Sequence, residues 1–543
     1  MNTKLLKDNI EDISIAAKII NEGGLVAMPT ETVYGLAADA LNGKAVRKIF
    51  QAKGRPMDNP LIVHVSSAQM AIDLKLYKEF TEDAKKLADK FWPGPLTIIL
   101  PKGDCIPDEV SAGLETVAVR CPSHKTARAL IEKSGKPLAA PSANISGKPS
   151  PTTAEHCIND LMGKVDAILD GGECEVGVES TVVTLATNPP RLLRPGGITL
   201  EQLESVLGEV AVDDAVLHKL AEGKKASSPG MKYKHYAPKA QVYLVRGNNF
   251  VDFVNRDIDE STAVVCFDED EKYINGETFP IGLKTDYKSH AHKIFDVLRK
   301  IDKEEKIKKV FAPLPRTDGV SLAVYNRLIR SSAFRIFNAD AYVLGLTGPT
   351  GSGKSTIAKM FAQYGFHTVD TDKIARNIME KGSPVLAKIK ETFGDDVVKD
   401  NVLDRKLLAK RAFADENSTK KLNQITHPYI YEKALLEIEE YSHKGYDKFI
   451  LDAPVLFESN GERFCNNTLA ILSDLDTRVK RIISRDTITT EQAMDRINAQ
   501  HSDDFYRAKT DYVIENNGSL DEVKSQVESV VKAILWNSVS KTK

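Results

Sequence analysis

The sequence predicts an α/β protein in several domains, and three observations point that way. Short apolar runs alternate with stretches of helical apolar spacing along most of the chain, the pattern of sheets with helices packed on them. Polar turns punctuated by Gly and Pro repeatedly follow the apolar runs, and the ends of strands are where α/β proteins place ligand groups. Gly348-Pro349-Thr350-Gly351-Ser352-Gly353-Lys354-Ser355 lies between the apolar run Tyr342-Val343-Leu344 and the helical start Thr356-Ile357-Ala358, the strand–turn–helix context of a phosphate-binding P-loop. At 543 residues the chain is too long for one core, and about three or four domains are expected.

Composition narrows the class. Apolar residues make up 42% and charged residues 28% of the chain, as in globular proteins and unlike disordered ones. Lysine plus arginine total 74 against 76 aspartate plus glutamate, so no overall field attracts nucleic acid or an anionic membrane, and only a local basic groove would serve. The six cysteines, at 105, 121, 157, 174, 266 and 465, form no C-x-x-C pair and no zinc spacing, which suits reduced thiols in the cytosol. Residues 1–20 mix Lys4, Lys7, Asp8, Glu11 and Asp12 with apolar positions, as an amphipathic helix does and a signal peptide does not. No apolar run approaches the ~18 residues that cross a bilayer. A soluble, cytoplasmic protein is expected, with no membrane partner and no direct DNA binding.

In the P-loop, glycines at 348, 351 and 353 let backbone N–H groups converge on phosphate oxygens, and the following helix adds the positive end of its dipole. Ser352 and Thr356 complete the expected ATP-binding set, Lys354 neutralises the β- and γ-phosphates, and Ser355 is the expected Mg²⁺ ligand. A Gly-rich turn before an ordinary helix is the plain alternative, and the Lys-Ser pair at the right offset argues against it.

Taken in order, residues 10–20 have helical spacing through Ile13, Ala16, Ala17 and Ile20, Gly23-Gly24 ends the helix, and 25–28 reads as a strand. The turn after it, Pro29-Thr30-Glu31-Thr32-Val33-Tyr34-Gly35-Leu36, packs hydroxyls, a carboxylate and a phenol together. A helix over 44–50 leads to Lys53-Gly54-Arg55-Pro56-Met57-Asp58-Asn59-Pro60, two cations on a constrained loop suited to phosphate, then a strand over 61–65 containing His64. Trp92-Pro93-Gly94-Pro95-Leu96-Thr97 turns into a strand, 117–120 ends in Arg120, and 137–147 runs from a strand into a turn offering Ser142 and Asn144. Glu179-Ser180-Thr181-Val182-Val183 and Arg194-Pro195-Gly196-Gly197 follow.

Together these stretches resemble the YrdC-like family of threonylcarbamoyl-AMP synthases over about residues 8–210: 29–36, Lys53-x-Arg55, 92–97, Ser142-x-Asn144, 179–182 and 194–197, in order. The resemblance implies a twisted α/β sheet around a cationic cavity, and conversion of L-threonine, bicarbonate and ATP into threonylcarbamoyl-AMP and pyrophosphate, the precursor of a tRNA adenosine modification. It implies nucleotide contacts at Arg55, Asn59, Thr116, Ser142, Asn144, Ser150 and Arg194, threonine contacts at Thr32, His64, Arg120 and Ser180, and stabilisation of transition-state charge by Lys53. Without it, His64 in an apolar strand reads as a core histidine. An adenylation fits such a cavity, since it asks for cations at the departing pyrophosphate and little covalent work from side chains.

Residues 213–228 turn polar and small and read as a linker. It ends in Pro229-Gly230-Met231-Lys232-Tyr233-Lys234-His235-Tyr236-Ala237-Pro238, where alternating bases and aromatics would suit nucleic acid. The segment is similar to an active-site lid of the long synthases, which implies that Tyr236 contacts ATP. Strands over 241–245, 262–266, 278–281 and 309–312 with helices over 291–299 and 322–334 give a small, Rossmann-like α/β domain. Residues 319–328 resemble the extra domain of the long synthases, and gating of the first domain is its expected role.

Beyond the P-loop, 366–369 leads into Asp370-Thr371-Asp372, two carboxylates able to orient a hydroxyl or assist Mg²⁺, or to cap a helix. Asp452 ends another strand. Arg478, Arg481 and Arg485 share one helix face, which reads either as a lid over transferring phosphate or as an exposed salt-bridged helix. Residues 341–537 resemble dephospho-coenzyme A kinase through 345–356, Asp370-x-Asp372 with Ile374-Ala375-Arg376, Ile425-Thr426-His427-Pro428, 451–458, Gln500 and 511–518. That implies phosphorylation of the ribose 3′-hydroxyl of dephospho-coenzyme A under a helical lid, with Asp372 as base and Arg485 as lid cation. Pro349-Thr350 and Thr371 depart from the family's Gly-Ile and alanine without removing a needed charge.

The expectation is therefore a bifunctional enzyme using ATP and Mg²⁺, divided at 1–212, 213–240, 241–340 and 341–543, acting on small molecules and open to tRNA-modification partner proteins. The competing reading makes the front half an RNA-binding module and the rear half a kinase for another nucleoside-like acceptor.

Overall fold

In a computed structural model, residues 2–218 and 238–540 are described, and side chains are described through residue 536. The chain forms two units, Met1–Leu244 with Ile258–Arg335, and Val245–Asp257 with Ile336–Lys543.

The first unit is built on a mixed sheet. Its central strands run in the order Gly35–Asp39, Leu138–Ala139, Ile62–His64, Thr116–Arg120, Leu96–Pro101 and Thr181–Thr184. Ile62–His64 is parallel to Thr116–Arg120, which is antiparallel to Leu96–Pro101, itself parallel to Thr181–Thr184. The register sets His64 opposite Arg120 and Arg120 opposite Thr97, so three polar side chains form a row across neighbouring strands. Mixed pairing brings polar strand ends from distant segments to one place.

Local sequence explains the helices that cover the sheet. Ile10–Asn21 starts where the Asn9 side chain accepts from the Asp12 N–H, and it buries Ile13, Ala16, Ala17 and Ile20. Gly43–Lys53 starts at Asn42 and ends at Gly54, whose φ of 61° is left-handed. This helix runs further than the expected 44–50, so Lys53 occupies its last turn and is buried, whereas the sequence put it on the loop. The Gly54 cap, not the Lys53 side chain, decides where the helix stops.

The smaller domain has a five-stranded sheet in the order Glu277–Pro280, Thr262–Cys266, Lys309–Pro313, Gln241–Arg246 and Ile336–Asn338, with helices Tyr287–Lys303 and Ser321–Ser331. The start of the expected linker is packed: Asp214–Leu217 is a short helix with Ala215 and Val216 buried, and the Val216 carbonyl accepts from Asn326 Nδ2 at 2.8 Å. Its apolar pair decided this against its polar surroundings.

The second unit holds a parallel five-stranded sheet in the order Phe366–Asp370, Lys448–Asp452, Tyr342–Thr347, Asn467–Leu472 and Tyr512–Glu515. Leu344, Leu346, Ile357, Phe361, Ile450 and Ile471 are in its core. Residues 245–257, which the sequence assigned to the small domain, make contacts here: Asp340 accepts from the N–H groups of Asn248 and Asn249, and Arg246 pairs with Glu439 at 2.8 Å.

Candidate active sites

One cavity of the first unit is lined by Thr32, Lys53, Arg55, His64, Arg120, Ser142, Asn144, Ser180 and Arg194, together with Glu179. Nine of the residues singled out from the sequence thus meet, drawn from turns and strand ends far apart in the chain. Lys53 Nζ donates to the carbonyls of Ser142 and Asn144, both at 2.5 Å, tying the end of its helix to the 142–144 turn. Burial, and then the neighbouring Arg55, pull the Lys53 ammonium well below its ordinary pKa. Ser142 Oγ donates to Asn144 Oδ1 at 2.6 Å, and Asn144 Nδ2 donates to the Lys148 carbonyl at 2.7 Å.

Across the cavity, Ser180 Oγ lies 2.8 Å from Thr97 Oγ1 and accepts from Arg194 Nη2 at 3.0 Å. Arg120 is paired with Glu31 at 2.6 Å, both side chains buried. His64 is held neutral, its pKa pushed down to about 3 by burial and then by Arg120. Its Nδ1 lies 3.2 Å from the Ile62 carbonyl, which only accepts, so Nδ1 carries the proton. Four cationic side chains and one carboxylate line the space, which favours an anionic occupant such as phosphate or carboxylate.

Other expected residues stand apart. Ser150 is fully buried behind the wall and donates to Glu179 at 2.6 Å. Asn59 is also buried, with its carbonyl 3.4 Å from Arg55 Nη2. Thr116 does not join them: it begins the strand whose other end carries Arg120, about 13 Å away at the rise of an extended chain. Tyr236 and the expected lid lie outside the described residues.

In the second unit the P-loop follows strand Tyr342–Thr347 and opens helix Lys354–Ala362. Gly348 has φ of 133°, and a Cβ there would meet the Ile471 carbonyl oxygen at 2.3 Å, so only glycine fits. Lys354 Nζ donates to the Gly348 carbonyl at 2.8 Å, and burial lowers its pKa. Ser352 is buried, while Ser355 and Thr356 are exposed. Asp370 caps the next helix, accepting from the Lys373 N–H at 2.9 Å, whereas burial and then Asp370 raise the Asp372 pKa. Asp452 faces Asp370 in the register, and burial, against the pull of Lys354, raises it to about 6.

The arginine face divides. Arg478 Nε donates to the Thr350 carbonyl at 3.1 Å, and Arg481 Nη1 donates to those of Ser352 and Gly351 at 3.2 and 3.3 Å. Arg485 instead pairs with Asp486, at 2.8 Å, as does Arg496. Only the last of the three is therefore placed as an exposed cation, and the other two hold the P-loop. Gln500 accepts from the Thr350 N–H at 2.7 Å, so both backbone groups of that departure from the kinase pattern are engaged. The Thr371 hydroxyl donates to the Asp452 carbonyl at 2.8 Å. The sequence assigned Glu31 and Glu179 no role, because their partners are long-range and no spacing announces them, and it placed Arg481 on a cationic helix face without showing that this residue holds the P-loop carbonyls.

Comparison with known proteins matches both units. Residues 18–196 match the Sua5/YciO/YrdC family, described as telomere recombination; 198–333 match the threonylcarbamoyl-AMP synthase C-terminal domain, and 342–522 match dephospho-CoA kinase. A threonylcarbamoyl-AMP synthase of Pyrococcus abyssi is 47% identical over 347 residues, 61% of this chain and 97% of that protein. The crystal structure of P. abyssi Sua5 complexed with L-threonine superimposes with a TM-score of 0.56 at 44% identity, over 62% of this chain and 99% of that one. A dephospho-CoA kinase of Corynebacterium glutamicum is 37% identical over 193 residues, 35% of this chain and 96% of that protein. The folds and sites define a Sua5/YrdC-type α/β pair joined to a P-loop kinase-type domain. The chain belongs, through its front part, to the threonylcarbamoyl-AMP synthase family and, through its rear part, to the dephospho-CoA kinase family.

Proposed function

We propose that the chain carries two ATP-dependent activities. The front unit condenses L-threonine, bicarbonate and ATP into threonylcarbamoyl-AMP, releasing pyrophosphate and water, and so supplies the threonylcarbamoyl group for tRNA modification. The rear unit transfers the γ-phosphoryl group of ATP to the ribose 3′-hydroxyl of dephospho-coenzyme A, giving coenzyme A and ADP. The carrying observation is the convergence of nine distant polar residues on one cationic cavity in a chain that spans nearly the whole length of synthase relatives.

In this reading Arg55, Ser142, Asn144 and Arg194 bind the nucleotide, and Thr32, His64, Arg120 and Ser180 bind threonine. Arg120 suits the amino-acid carboxylate, and neutral His64 orients it without adding charge. Lys53, fixed between two carbonyls, stabilises charge as pyrophosphate departs. In the kinase, Lys354 and the P-loop amides hold the phosphates, Asp372 accepts the proton of the ribose hydroxyl, and Arg485 turns from Asp486 to the transferring phosphoryl group. The exposed Ser355 hydroxyl and the nearby Asp452 carboxylate are the hard oxygen donors that Mg²⁺ takes alongside phosphate and water, so the residues fit that ion. When bound it neutralises phosphate charge. A cytoplasmic location and contact with tRNA-modification proteins belong to the same proposal.

The test uses the full-length protein with ATP and Mg²⁺, following pyrophosphate and ADP separately. Pyrophosphate is expected only with threonine plus bicarbonate, and ADP only with dephospho-coenzyme A. ADP without pyrophosphate would turn the front half into a binding module, and salt-sensitive RNA binding would then be measured.

A further inference from the structure

The turn that carries Ser142 and Asn144 into the synthase cavity is held from behind by a buried ion cluster, and the smaller domain supplies part of it. Asp160, near the end of helix Ala154–Leu161, has a side chain only 1% exposed. Its Oδ1 accepts from Lys148 Nζ and its Oδ2 from Arg299 Nη2, both at 2.9 Å. Arg299, buried on helix Tyr287–Lys303 of the smaller domain, reaches further: Nη2 also donates to the Pro149 carbonyl at 2.5 Å, and Nε to that of Ser150 at 3.4 Å. Lys148, Pro149 and Ser150 are thus gripped one after another at the exit of the turn. Neither Asp160 nor Arg299 is among the residues that line the cavity.

The grip is passed to the cavity through a chain of hydrogen bonds. The Lys148 carbonyl accepts from Asn144 Nδ2 at 2.7 Å, and Asn144 Oδ1 accepts from Ser142 Oγ at 2.6 Å and from Lys53 Nζ at 3.3 Å. The Lys53 carbonyl in turn accepts from the Ser146 N–H at 2.9 Å. Lys53, Ser142, Asn144 and Ser146 all line the space, so a shift of Lys148 moves the Asn144 amide and the hydroxyl and ammonium that it orients. Charge makes the cluster costly to break. Burial alone would raise the Asp160 pKa, but Arg299 first and Lys148 next hold it below the ordinary carboxylate range. Removing one partner of a buried ion cluster leaves the others uncompensated. The same two helices meet twice more: His156 Nε2 lies 3.5 Å from Asp296, and Lys303 pairs with Glu155 at 3.2 Å. Arg299 is therefore delivered to a set position behind the turn.

We propose that Asp160 and Arg299 are positioning residues of the synthase: their ion pair clamps residues 148–150 and so fixes Ser142 and Asn144 where the nucleotide binds, with the smaller domain supplying the cation of the clamp. The proposal rests on the synthase reading above. The test compares R299M, R299K and D160N with the parent as full-length chains, taking the KM for ATP, the KM for threonine and kcat from pyrophosphate release, beside the melting temperature. R299M should raise the KM for ATP on the order of tenfold. The KM for threonine, whose contacts stand on other segments, should change much less. R299K keeps a charge for Asp160 but loses the fork that reaches both carbonyls, and should fall between R299M and the parent. D160N should move the KM for ATP in the same direction as R299M. A role in packing alone predicts a lower melting temperature with both KM values at parental levels. If R299M fails to fold, R299K and D160N carry the comparison. A parental KM for ATP in the folded variants, or equal rises in the two KM values, overturns the assignment. A parent chain that releases no pyrophosphate with threonine and bicarbonate overturns the synthase reading, and this proposal with it, before any variant is compared.

Discussion

Asp452 and Asp372 show how burial prepares a carboxylate for its task and sets its pH range. Asp372 is pulled up by burial and by Asp370, and Asp452 is pushed up to about 6. A proton acceptor works ionised, so kinase turnover is full above these raised values and is lost as pH falls through them. The acid limb of kcat for ADP release should lie above the ~3.9 of a free aspartate. D372N should reduce kcat by about 10²–10⁴-fold. Asp452 carries a second consequence of opposite sign. An acid whose folded pKa exceeds its unfolded value is a cost to folding wherever it is ionised, and the cost is relieved as pH falls through the folded value. D452N should therefore raise the melting temperature of the kinase unit at pH 7.5 and lower its turnover, and differential scanning fluorimetry beside the ADP assay checks both.

At the scale of elements, helix Leu475–Asp486 does two jobs that its arginine spacing does not separate. Its first half holds P-loop carbonyls through Arg478 and Arg481, and its last turn carries Arg485 on Asp486. R481A should loosen the loop, raising the KM for ATP in the kinase reaction. R485A breaks only a largely exposed pair, of the kind that adds little stability, and should lower kcat with the melting temperature unchanged. A fall in melting temperature for R485A comparable to that for R481A would contradict this division. The strand that feeds the loop is equally constrained: G348A places a methyl group against the Ile471 carbonyl and should abolish ADP formation. The spacing of Gly348, Gly351, Gly353, Lys354 and Ser355 announced this loop in the sequence, because a phosphate cradle needs those residue types in that order. Arg481 was legible as part of a cationic helix face, but that it and Asn516 brace the loop from outside was not, because their partners are backbone carbonyls about 130 and 164 residues away in sequence.

For the whole molecule, the division into units does not follow the sequence boundary at 340. Residues 245–257 lie within the 198–333 match to the synthase C-terminal domain, yet by contact they group with the kinase unit through Asp340, Glu439 and Arg463, the last pairing with Asp257 at 3.1 Å. A fragment of residues 341–543 lacks that segment and the Asp340 side chain. It should melt below the kinase transition of the full chain, and equal melting temperatures would show the segment to be dispensable. The activities themselves should separate cleanly: K354A should remove ADP formation and keep pyrophosphate release, and K53A the reverse, in paired assays on the intact chain.

Some of this protein is written locally. Capping residues, apolar periodicity and the P-loop spacing involve neighbours within a few turns, so the α/β class, helix Ile10–Asn21, the strands of the small domain and the phosphate loop were all readable from the sequence. Cationic and hydroxyl-bearing turns announced the front cavity, and resemblance to a family supplied their roles. Tertiary structure alone decided what holds those turns in place. The register that sets His64 beside Arg120 and the Ser142 and Asn144 carbonyls that meet the buried Lys53 each depend on residues distant in the chain. Such contacts have no period and no fixed spacing, because only the folded sheet brings their partners within hydrogen-bonding distance.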